Sequence, residues 1–136
     1  MGSLHQGHLS LIEKAVTKNS NVIVSIFVNP TQFDRKVDLQ NYPKNIKNDL
    51  LQLQNFKNIS VYLPNINDLY PTNVIAKNYD FGPLDKMMEG RLRINHFNGV
   101  ATIVEKLFKI FRPDFAYFGE KDFQQMIIIK SLVKQI

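Results

Sequence analysis

Several features are missing from this 136-residue sequence, and each absence argues against a class of protein. The absence of cysteine rules out disulfide bonds and thiol catalysis, and it fits a reducing cytosol. No apolar run reaches the length of a transmembrane helix, and the first residues lack the basic and apolar regions of a signal peptide. Basic residues form neither a block of like charge nor a stripe interleaved with aromatic residues. We therefore expect a protein that binds neither a membrane nor nucleic acid.

What the sequence does contain is typical of a single globular domain. Its length allows one hydrophobic core, and 44% of its residues are hydrophobic. The net charge of +5 is spread along the chain and suits a small anionic ligand.

The segment His5-Gln6-Gly7-His8 is the strongest chemical signal in the chain. If Ser3 caps a helix, His5 and His8 fall on one face of its first turn. Gly7 lets another backbone or a flat ligand come close. Free backbone N–H groups and the positive end of the helix dipole meet there as well. We predict a phosphate pocket in which the imidazoles donate hydrogen bonds to negative charge.

Two other interpretations of the same segment remain open. Ser3 and Gln6 have the spacing of a capping box, which would leave both histidines in solvent. His5 and His8 could also be two ligands of a metal, with His96 as the third.

The expected elements alternate between helix and strand, which favours a three-layer α/β domain with a Rossmann-like parallel sheet. In order they are a helix at 4–18, a strand at 22–28, a polar loop at 34–42, a helix opening at Pro43, a strand at 59–63, a short strand near 78–81, a short helix at 84–89 ending at Gly90, a helix at 97–111, a strand at 114–118 and a helix at 123–136.

This order predicts where a ligand would bind. Asn29–Gln32 follows the first strand and Gly119–Asp122 follows the third, and a helix opening at His5 would begin at the same edge of the sheet. We therefore expect three polar segments to converge on one pocket. A helix opening so early should follow a strand, so we also expect this chain to be a piece of a longer protein.

Several segments together resemble the pantothenate synthetase (pantoate–β-alanine ligase) family. They cover nearly the whole chain in the family's order and spacing. The segments are Met1–His8, Ser25–Phe33, Tyr42-Pro43, Glu89-Gly90, His96–Val100 and Phe118–Gln125.

The resemblance implies a two-step reaction. ATP and pantoate give an enzyme-bound pantoyl adenylate and pyrophosphate, and the amine of β-alanine then attacks the adenylate to give pantothenate and AMP. Mg²⁺ accompanies the ATP. The family is a cytoplasmic homodimer with a nucleotide-binding α/β domain and a smaller C-terminal domain.

The resemblance also implies which residues bind ATP. His5 and His8 would bond the phosphates, His8 fits the family's proposed proton donor, and Lys121 would place a positive charge against the phosphates. The implied ATP-binding residues are Met1, Gly2, Ser3, Leu4, His5, Gln6, Gly7 and His8, together with Gly119, Glu120, Lys121 and Asp122.

The residues implied for pantoate and β-alanine each have a structural alternative. The implied residues are Gln32, Gln125, Asn29 and His96. Asn29 and Gln32 also fit turn chemistry after a strand. Asp122 and Gln125 also fit a helix capping box, and His96 also fits a buried, hydrogen-bonded histidine.

The chain departs from the family in three respects, one of which is that Arg93 is followed by Ile94 where the family usually has Arg-Pro. Asn48-Asp49 stands where the family commonly has two acidic residues, so Asp49 is the one candidate Mg²⁺ ligand and the metal ligands are otherwise unassigned. Residues 1–136 are expected to be a nucleotide-binding domain without the family's first strand and C-terminal domain. We expect this piece alone to be weakly active or inactive.

Three competing functions remain at this stage. His-x-Gly-His also occurs in nucleotidyltransferases that adenylylate other acceptors, although Ser25–Phe33 argues against them. The chain could also be a non-catalytic ligand-binding domain, or an interaction module that pairs through an exposed edge strand.

Overall fold

A computed structural model describes residues 2–93 and 95–136. Its elements are α1 (Gln6–Lys18), β1 (Val22–Ser25), α2 (Lys36–Asn41), α3 (Ile46–Leu53), β2 (Ile59–Tyr62), α4 (Ile66–Leu69), α5 (Met88–Leu92), α6 (His96–Phe111) and α7 (Phe123–Val133), with 3₁₀ turns at Pro30–Gln32 and Glu120–Asp122. The chain divides into two compact units. The first runs to Val28 and includes Asn41–Asn65, and the second contains Asn29–Gln40 and Ile66–Ile136.

The first unit contains a parallel strand pair. β1 and β2 run in register from Val22 opposite Ile59 to Ser25 opposite Tyr62. The ladder continues one residue further, where the Ile26 N–H donates to the Tyr62 carbonyl at 2.9 Å. Parallel pairing needs a crossover connection, and α3 lies in that connection. The parallel sheet predicted from the β-branched run after residue 21 is therefore confirmed.

The core of the first unit lies between these strands and two helices. Five apolar residues form it: Leu4, Ile12, Val24, Ile26 and Leu53. Val16 on α1 and Val61 on β2 pack against them. The apolar stripe predicted for the first helix is thus the face that α1 buries. Because Leu4 belongs to this core, the segment that leads into the histidines is anchored by its own side chain.

The second unit is built around α6. This helix starts after Asn95, which has a φ of 62°, and it stops at Arg112, which has a φ of 46° and precedes Pro113. Its bounds lie within one residue of the prediction because the apolar spacing of this segment was unambiguous. Of the predicted apolar stripe, Val100, Ile103 and Val104 are buried, and Leu107, Phe108 and Phe111 are only partly buried. The first half of the helix is buried on other sides too, at Ala101, Thr102 and Glu105. In α7, three large apolar residues are buried: Ile128, Ile129 and Leu132.

Several predicted elements were wrong. Among the described residues, neither 78–81 nor 114–118 is a strand. Phe115 in the second segment is 70% exposed, and strand structure needs a paired neighbour as well as apolar residues. The loop predicted at 34–42 contains α2.

The short helix predicted at 84–89 lies instead at Met88–Leu92, so Gly90 is inside it and does not end it. A Cβ added at Gly90 would lie 2.0 Å from the Asp85 carbonyl oxygen. The glycine therefore permits a close backbone approach.

These findings confirm the α/β class with a Rossmann-like parallel sheet, although the predicted third strand is not part of it. In the part of the chain that the structure describes, no helix combines the length and apolarity needed to cross a membrane.

Candidate functional site

Two histidines cap the first helix of the chain. His5 is the N-cap of α1, and its Nδ1 accepts the Gly7 N–H at 3.1 Å. The Nδ1 of His8 accepts the His5 N–H at 3.3 Å. These reciprocal bonds form a capping box. The capping-box alternative was therefore right in kind but wrong in its residues, because the box lies two residues after the predicted Ser3–Gln6 pair.

The cap fixes the tautomer of both imidazoles. A ring nitrogen that accepts a hydrogen bond carries no proton, so the neutral rings of His5 and His8 carry theirs on Nε2. The rings are stacked, with centroids 3.9 Å apart and an angle of 28° between their planes. The capping nitrogens are thus used by the backbone, and the Nε2–H of each ring is a donor suited to an anionic group.

Gly7 lies close to the His5 ring. A Cβ added there would lie 3.0 Å from Cε1 and 3.2 Å from Nδ1 of His5. These contacts are tight, so a larger residue would require the ring to shift by a few tenths of an ångström. The close neighbour of Gly7 is thus the His5 imidazole, whereas the sequence had suggested room for a ligand.

Asp49 holds the segment that precedes the histidines. It is only 1% exposed, and its two carboxylate oxygens accept the N–H groups of Ser3 at 3.0 Å and of Leu4 at 2.7 Å. Gln52, one turn further along α3, donates from Nε2 to the Leu4 carbonyl at 3.3 Å. Both oxygens of Asp49 are thus used inside the protein and shielded from solvent, which does not fit the predicted Mg²⁺ ligand.

No three histidine, aspartate or glutamate side chains within residues 2–93 and 95–136 are grouped so that they could hold a metal ion. The arrangement of His5, His8 and His96 as a three-histidine metal site is therefore not supported.

In the second unit, the side chain of Asn29 is buried and hydrogen-bonded to other parts of the protein. It is 2% exposed, and its Nδ2 donates to the Gly99 carbonyl at 2.9 Å. Its Oδ1 accepts the hydroxyls of Tyr70 at 2.7 Å and of Thr31 at 3.0 Å. Burial raises the pKa of the Tyr70 hydroxyl, so this donor keeps its proton at neutral pH. The turn-chemistry alternative thus fits Asn29, and its predicted contact with pantoate or β-alanine stays a prediction.

Sequence reasoning missed Tyr70. Its neighbours form no motif, and its partner Asn29 lies 41 residues earlier in the chain. No local pattern could have linked the two.

His96 supports the turn that carries Gln32. It is 6% exposed, and its Nδ1 lies 2.9 Å from the Gln32 carbonyl oxygen. A carbonyl can only accept, so Nδ1 carries the proton. Burial lowers the pKa of His96, which keeps the ring neutral. Arg93 reaches the same oxygen with Nη2 at 3.4 Å. These contacts use the Gln32 backbone and not its side-chain amide, and His96 is the buried, hydrogen-bonded histidine of the structural alternative.

The start of α6 packs tightly on this turn. A Cβ added at Gly99 would lie 2.2 Å from the Thr31 carbonyl oxygen and 2.7 Å from the Gln32 nitrogen. Asn29, Gln32 and His96 are thus brought together in the second unit, as their common assignment to one substrate site requires.

Lys121 lies in the exposed 3₁₀ turn Glu120–Asp122, directly before α7. Asp122 is at the N-cap position of α7, but its side chain makes no capping hydrogen bond. The capping-box alternative for Asp122 and Gln125 was therefore wrong, and the cap does not account for either residue.

Gln124 is a second residue that sequence reasoning missed. It is buried, and its Nε2 donates to the carbonyls of Leu84 at 2.6 Å and Met87 at 2.7 Å. Its Oε1 accepts the Glu89 N–H at 3.0 Å. Gln124 thereby fixes the start of α7 against the segment that leads into α5. The pair Gln124-Gln125 was the available signal, but sequence alone does not tell which amide faces inward.

A charged cluster is centred on Glu105 of α6. The carboxylate of Glu105, a buried residue, accepts from Lys77 at 2.9 Å, from Lys109 and from the Tyr79 hydroxyl. Burial by itself would raise the pKa of Glu105, but these donors and cations outweigh it and lower the pKa to about 2.

The sequence predicted that three polar segments meet at one pocket. The structure gives the geometry of each segment within its own unit, and their convergence stays a prediction. Met1, predicted to bind ATP, lies outside the described residues.

Comparison with known proteins gives a consistent result. The sequence model of the family described as pantoate-beta-alanine ligase matches residues 1–136. The pantothenate synthetase of Christiangramia forsetii is 49% identical over 136 residues, covering 99% of this chain and 48% of its own length. That of Phocaeicola vulgatus is 50% identical, covering 100% of this chain and 48% of its own length. The chain thus spans about half the length of the curated relatives it matches.

Solved structures agree. The crystal structure of pantoate-beta-alanine ligase from Francisella tularensis, complexed with beta-gamma ATP and beta-alanine, superposes with a TM-score of 0.94 at 43% identity. The match covers 99% of this chain and 52% of that one. Pantothenate synthetase from Thermus thermophilus gives a TM-score of 0.89 at 40% identity, over 99% of this chain and 49% of that one.

Proposed function

Because this chain belongs to the pantoate–β-alanine ligase family, we propose that the protein containing it condenses pantoate with β-alanine at the expense of ATP. A carboxylate oxygen of pantoate attacks the α-phosphorus of ATP, the bond to the β-phosphate breaks, and pyrophosphate leaves. The amine of β-alanine then attacks the acyl carbon of the pantoyl adenylate. The bond to the phosphate oxygen breaks, AMP leaves, and the amine loses a proton, giving pantothenate.

The observation that carries this proposal is the stacked histidine pair at the start of α1. His5 and His8 are held with Nδ1 on the backbone, so their two Nε2–H donors belong to rings that are fixed side by side. Negative charge builds up on the phosphate oxygens in the first step, and prearranged donors stabilise such charge. In this role the neutral His8 ring donates a hydrogen bond through Nε2, and acting as the proton donor would require a second proton at Nδ1 in place of the cap bond from the His5 N–H.

The remaining predicted ATP contacts are part of the proposal. Residues 1–8 surround the nucleotide, and the turn 119–122 binds it, with the ammonium of Lys121 against the phosphates. Support comes from the exposed position of Lys121 and from the Francisella tularensis ligase, whose structure is a complex with beta-gamma ATP and beta-alanine.

For the acid and the amine, we propose that the amides of Gln32 and Gln125 make the direct contacts. A neutral amide can donate to a carboxylate and accept from an amine or hydroxyl. Asn29 and His96 act on the substrates through the backbone of the Gln32 turn, since Asn29 joins that turn to α6 and His96, on α6, bonds the Gln32 carbonyl.

Magnesium, in this proposal, enters with ATP and is coordinated by its phosphates, as is usual for this ion. The natural protein is proposed to be a cytoplasmic homodimer. Residues 1–136 contribute its nucleotide-binding α/β domain, and a smaller domain follows.

The test uses the protein at its full natural length with ATP, pantoate and β-alanine. We expect AMP, pyrophosphate and pantothenate in equal amounts, and no pyrophosphate when pantoate is omitted. Pyrophosphate release without pantoate would indicate a nucleotidyltransferase with another acceptor. ATP binding with no turnover would indicate a non-catalytic domain.

Substitutions at the proposed phosphate contacts give the first quantitative prediction. His8→Ala and Lys121→Ala should each lower the rate of adenylate formation about 10²- to 10³-fold, because each removes one stabilising donor. Lys14→Ala on α1 and Lys130→Ala on α7 remove exposed cations of the same two helical segments and should change little. Equal losses in all four variants would argue against a specific role for His8 and Lys121.

A further inference from the structure

The carboxylate of Asp49 is buried, and a buried charge is unfavourable unless other groups stabilise it. Its hydrogen bonds include no cationic partner among the described residues. The donors are two successive backbone N–H groups, those of Ser3 and Leu4. Its place in the first turn of α3 adds the favourable end of a helix dipole. The carboxylate therefore binds a particular stretch of backbone.

Two residues of α3 hold the backbone of Leu4 at both its N–H and its carbonyl. Asp49 accepts the Leu4 N–H, and Gln52 donates to the Leu4 carbonyl. Their spacing of three places both on one face of the helix. We call this pair the α3 clamp. The Leu4 side chain is buried in the core of the first unit, so Leu4 is fixed by both its side chain and its backbone.

The clamp also accounts for an unusual backbone conformation. Ser3 has a φ of 51°, a left-handed conformation that costs free energy for a residue with a Cβ. Its N–H is bound by the carboxylate of Asp49 at 3.0 Å. The strained residue is therefore held by a charge-assisted hydrogen bond two residues before the N-cap His5.

From this geometry we propose that Asp49 is a positioning residue for the His5–His8 pair. Leu4 precedes the N-cap, so its placement sets where the His5 N–H points, and that N–H holds His8. Loss of the carboxylate would free the segment, and the two Nε2–H donors would no longer keep their spacing. The catalytic part of this inference rests on the proposed function, while the effect on the rings does not.

The test compares three variants of the full-length protein. Asp49→Asn keeps the size of the side chain but replaces one of the two acceptor oxygens by an NH₂ group, which cannot accept a backbone N–H. Gln52→Ala removes the weaker half of the α3 clamp. Asn48→Ala is the matched control, because Asn48 is the exposed neighbour of Asp49 on the same helix.

Three readouts separate positioning from metal binding. For Asp49→Asn we expect kcat for pantoate-dependent pyrophosphate release to fall about 10- to 100-fold, with KM for pantoate nearly unchanged. The Mg²⁺ concentration for half-maximal rate should stay the same. The imidazole ¹⁵N spectra should show mixed tautomers at His5 and His8 and no change at His96. Gln52→Ala should lower kcat by about 2- to 5-fold, and Asn48→Ala should leave kcat unchanged.

Each other result counts against the proposal. A higher Mg²⁺ requirement with unchanged imidazole spectra would make Asp49 a metal ligand. Unchanged spectra and kcat would remove any role for the clamp. If Asp49→Asn does not fold, Gln52→Ala decides, and normal ring spectra in that variant would overturn the inference. If the wild type releases no pyrophosphate, the proposed function fails, but the spectra still decide the positioning role.

Discussion

The side-chain amide of Asn29 makes several hydrogen bonds inside the protein. Its amide donates to Gly99 and accepts from Tyr70 and Thr31, and the residue is almost fully buried. An amide engaged in this way stabilises the turn before Gln32 and has little capacity left for a substrate. Its importance for activity would then be indirect.

Asn29→Ala should destabilise the protein by about 2–3 kcal/mol, because it leaves the Tyr70 hydroxyl and the Gly99 carbonyl buried without this partner. Tyr70→Phe removes one of the same bonds and should cost about 1 kcal/mol. Urea unfolding measures both. If Asn29→Ala is as stable as wild type and only pantoate binding weakens, Asn29 is a direct ligand and this interpretation is wrong.

Glu105 gives a prediction about pH. Its pKa is lowered to about 2 in the folded protein, against an ordinary value of 4.5, so the folded state binds the proton less readily than the unfolded state. The stabilisation is therefore complete above pH 4.5 and is lost as the pH falls from 4.5 towards 2. Urea unfolding between about pH 6 and pH 3 should show this loss.

Glu105→Gln is the control for that experiment. It removes the titrating group, so the variant should be less stable at about pH 6 and lose less stability on acidification. A wild type and variant with parallel pH profiles would show that Glu105 is not the group responsible.

At the scale of secondary structure, the close contact between α6 and the 3₁₀ turn Pro30–Gln32 depends on the absence of a Cβ at Gly99. Gly99 allows the Thr31 carbonyl to approach where a Cβ would clash with backbone atoms, which cannot move as easily as a side-chain tip. This approach also brings the Gly99 carbonyl to Asn29. The start of the helix and the turn therefore form one packed element.

Gly99→Ala should destabilise the protein by about 1–3 kcal/mol, since the clash must be relieved by moving backbone. It should also lower activity through displacement of Gln32. Gly82→Ala is the control, because its φ of 60° makes the substitution strained while no atom lies within 4 Å of the added Cβ. That control should cost about 1 kcal/mol and leave activity unchanged. Equal effects on activity would show that backbone strain, and not the contact with Thr31, is responsible.

The elements that sequence predicted well are those specified locally. α6 has its apolar spacing, and β1 has a β-branched run, so both were found. The segment at 114–118 has a similar composition, but a strand depends on a neighbour that composition does not reveal. The N-cap of α1 was predicted at Ser3 because serine is a commoner N-cap than histidine. In the structure the N-cap is His5, and its imidazole nitrogen accepts the hydrogen bond.

For the whole molecule, motifs in the sequence were enough to choose the candidate site residues. They were not enough to predict which role each residue has. His5 and His8 cap α1 through Nδ1 and remain candidates through Nε2, and Lys121 remains a candidate in its exposed turn. Asn29, Asp49 and His96 were chosen as ligands because polar residues in a motif suggest chemistry. The structure shows bonds to backbone groups up to 70 residues away along the chain, which sequence spacing cannot reveal.

Residues 1–136 by themselves should be weakly active or inactive. The relatives that they match are about twice as long, so half of each matched enzyme has no counterpart in this chain. A coupled assay for AMP release, run on these residues and on the full-length protein, would measure the difference. Full turnover by residues 1–136 would show that the matched half contains the complete catalytic site.

The histidine cap has a consequence for how α1 tolerates substitution. An aspartate or serine at position 5 could still accept the Gly7 N–H and begin the helix. Neither has a second ring nitrogen that carries a proton, so one donor of the stacked pair would be lost while the helix remained. Capping and donation are therefore separable at position 5, although a single imidazole can serve both.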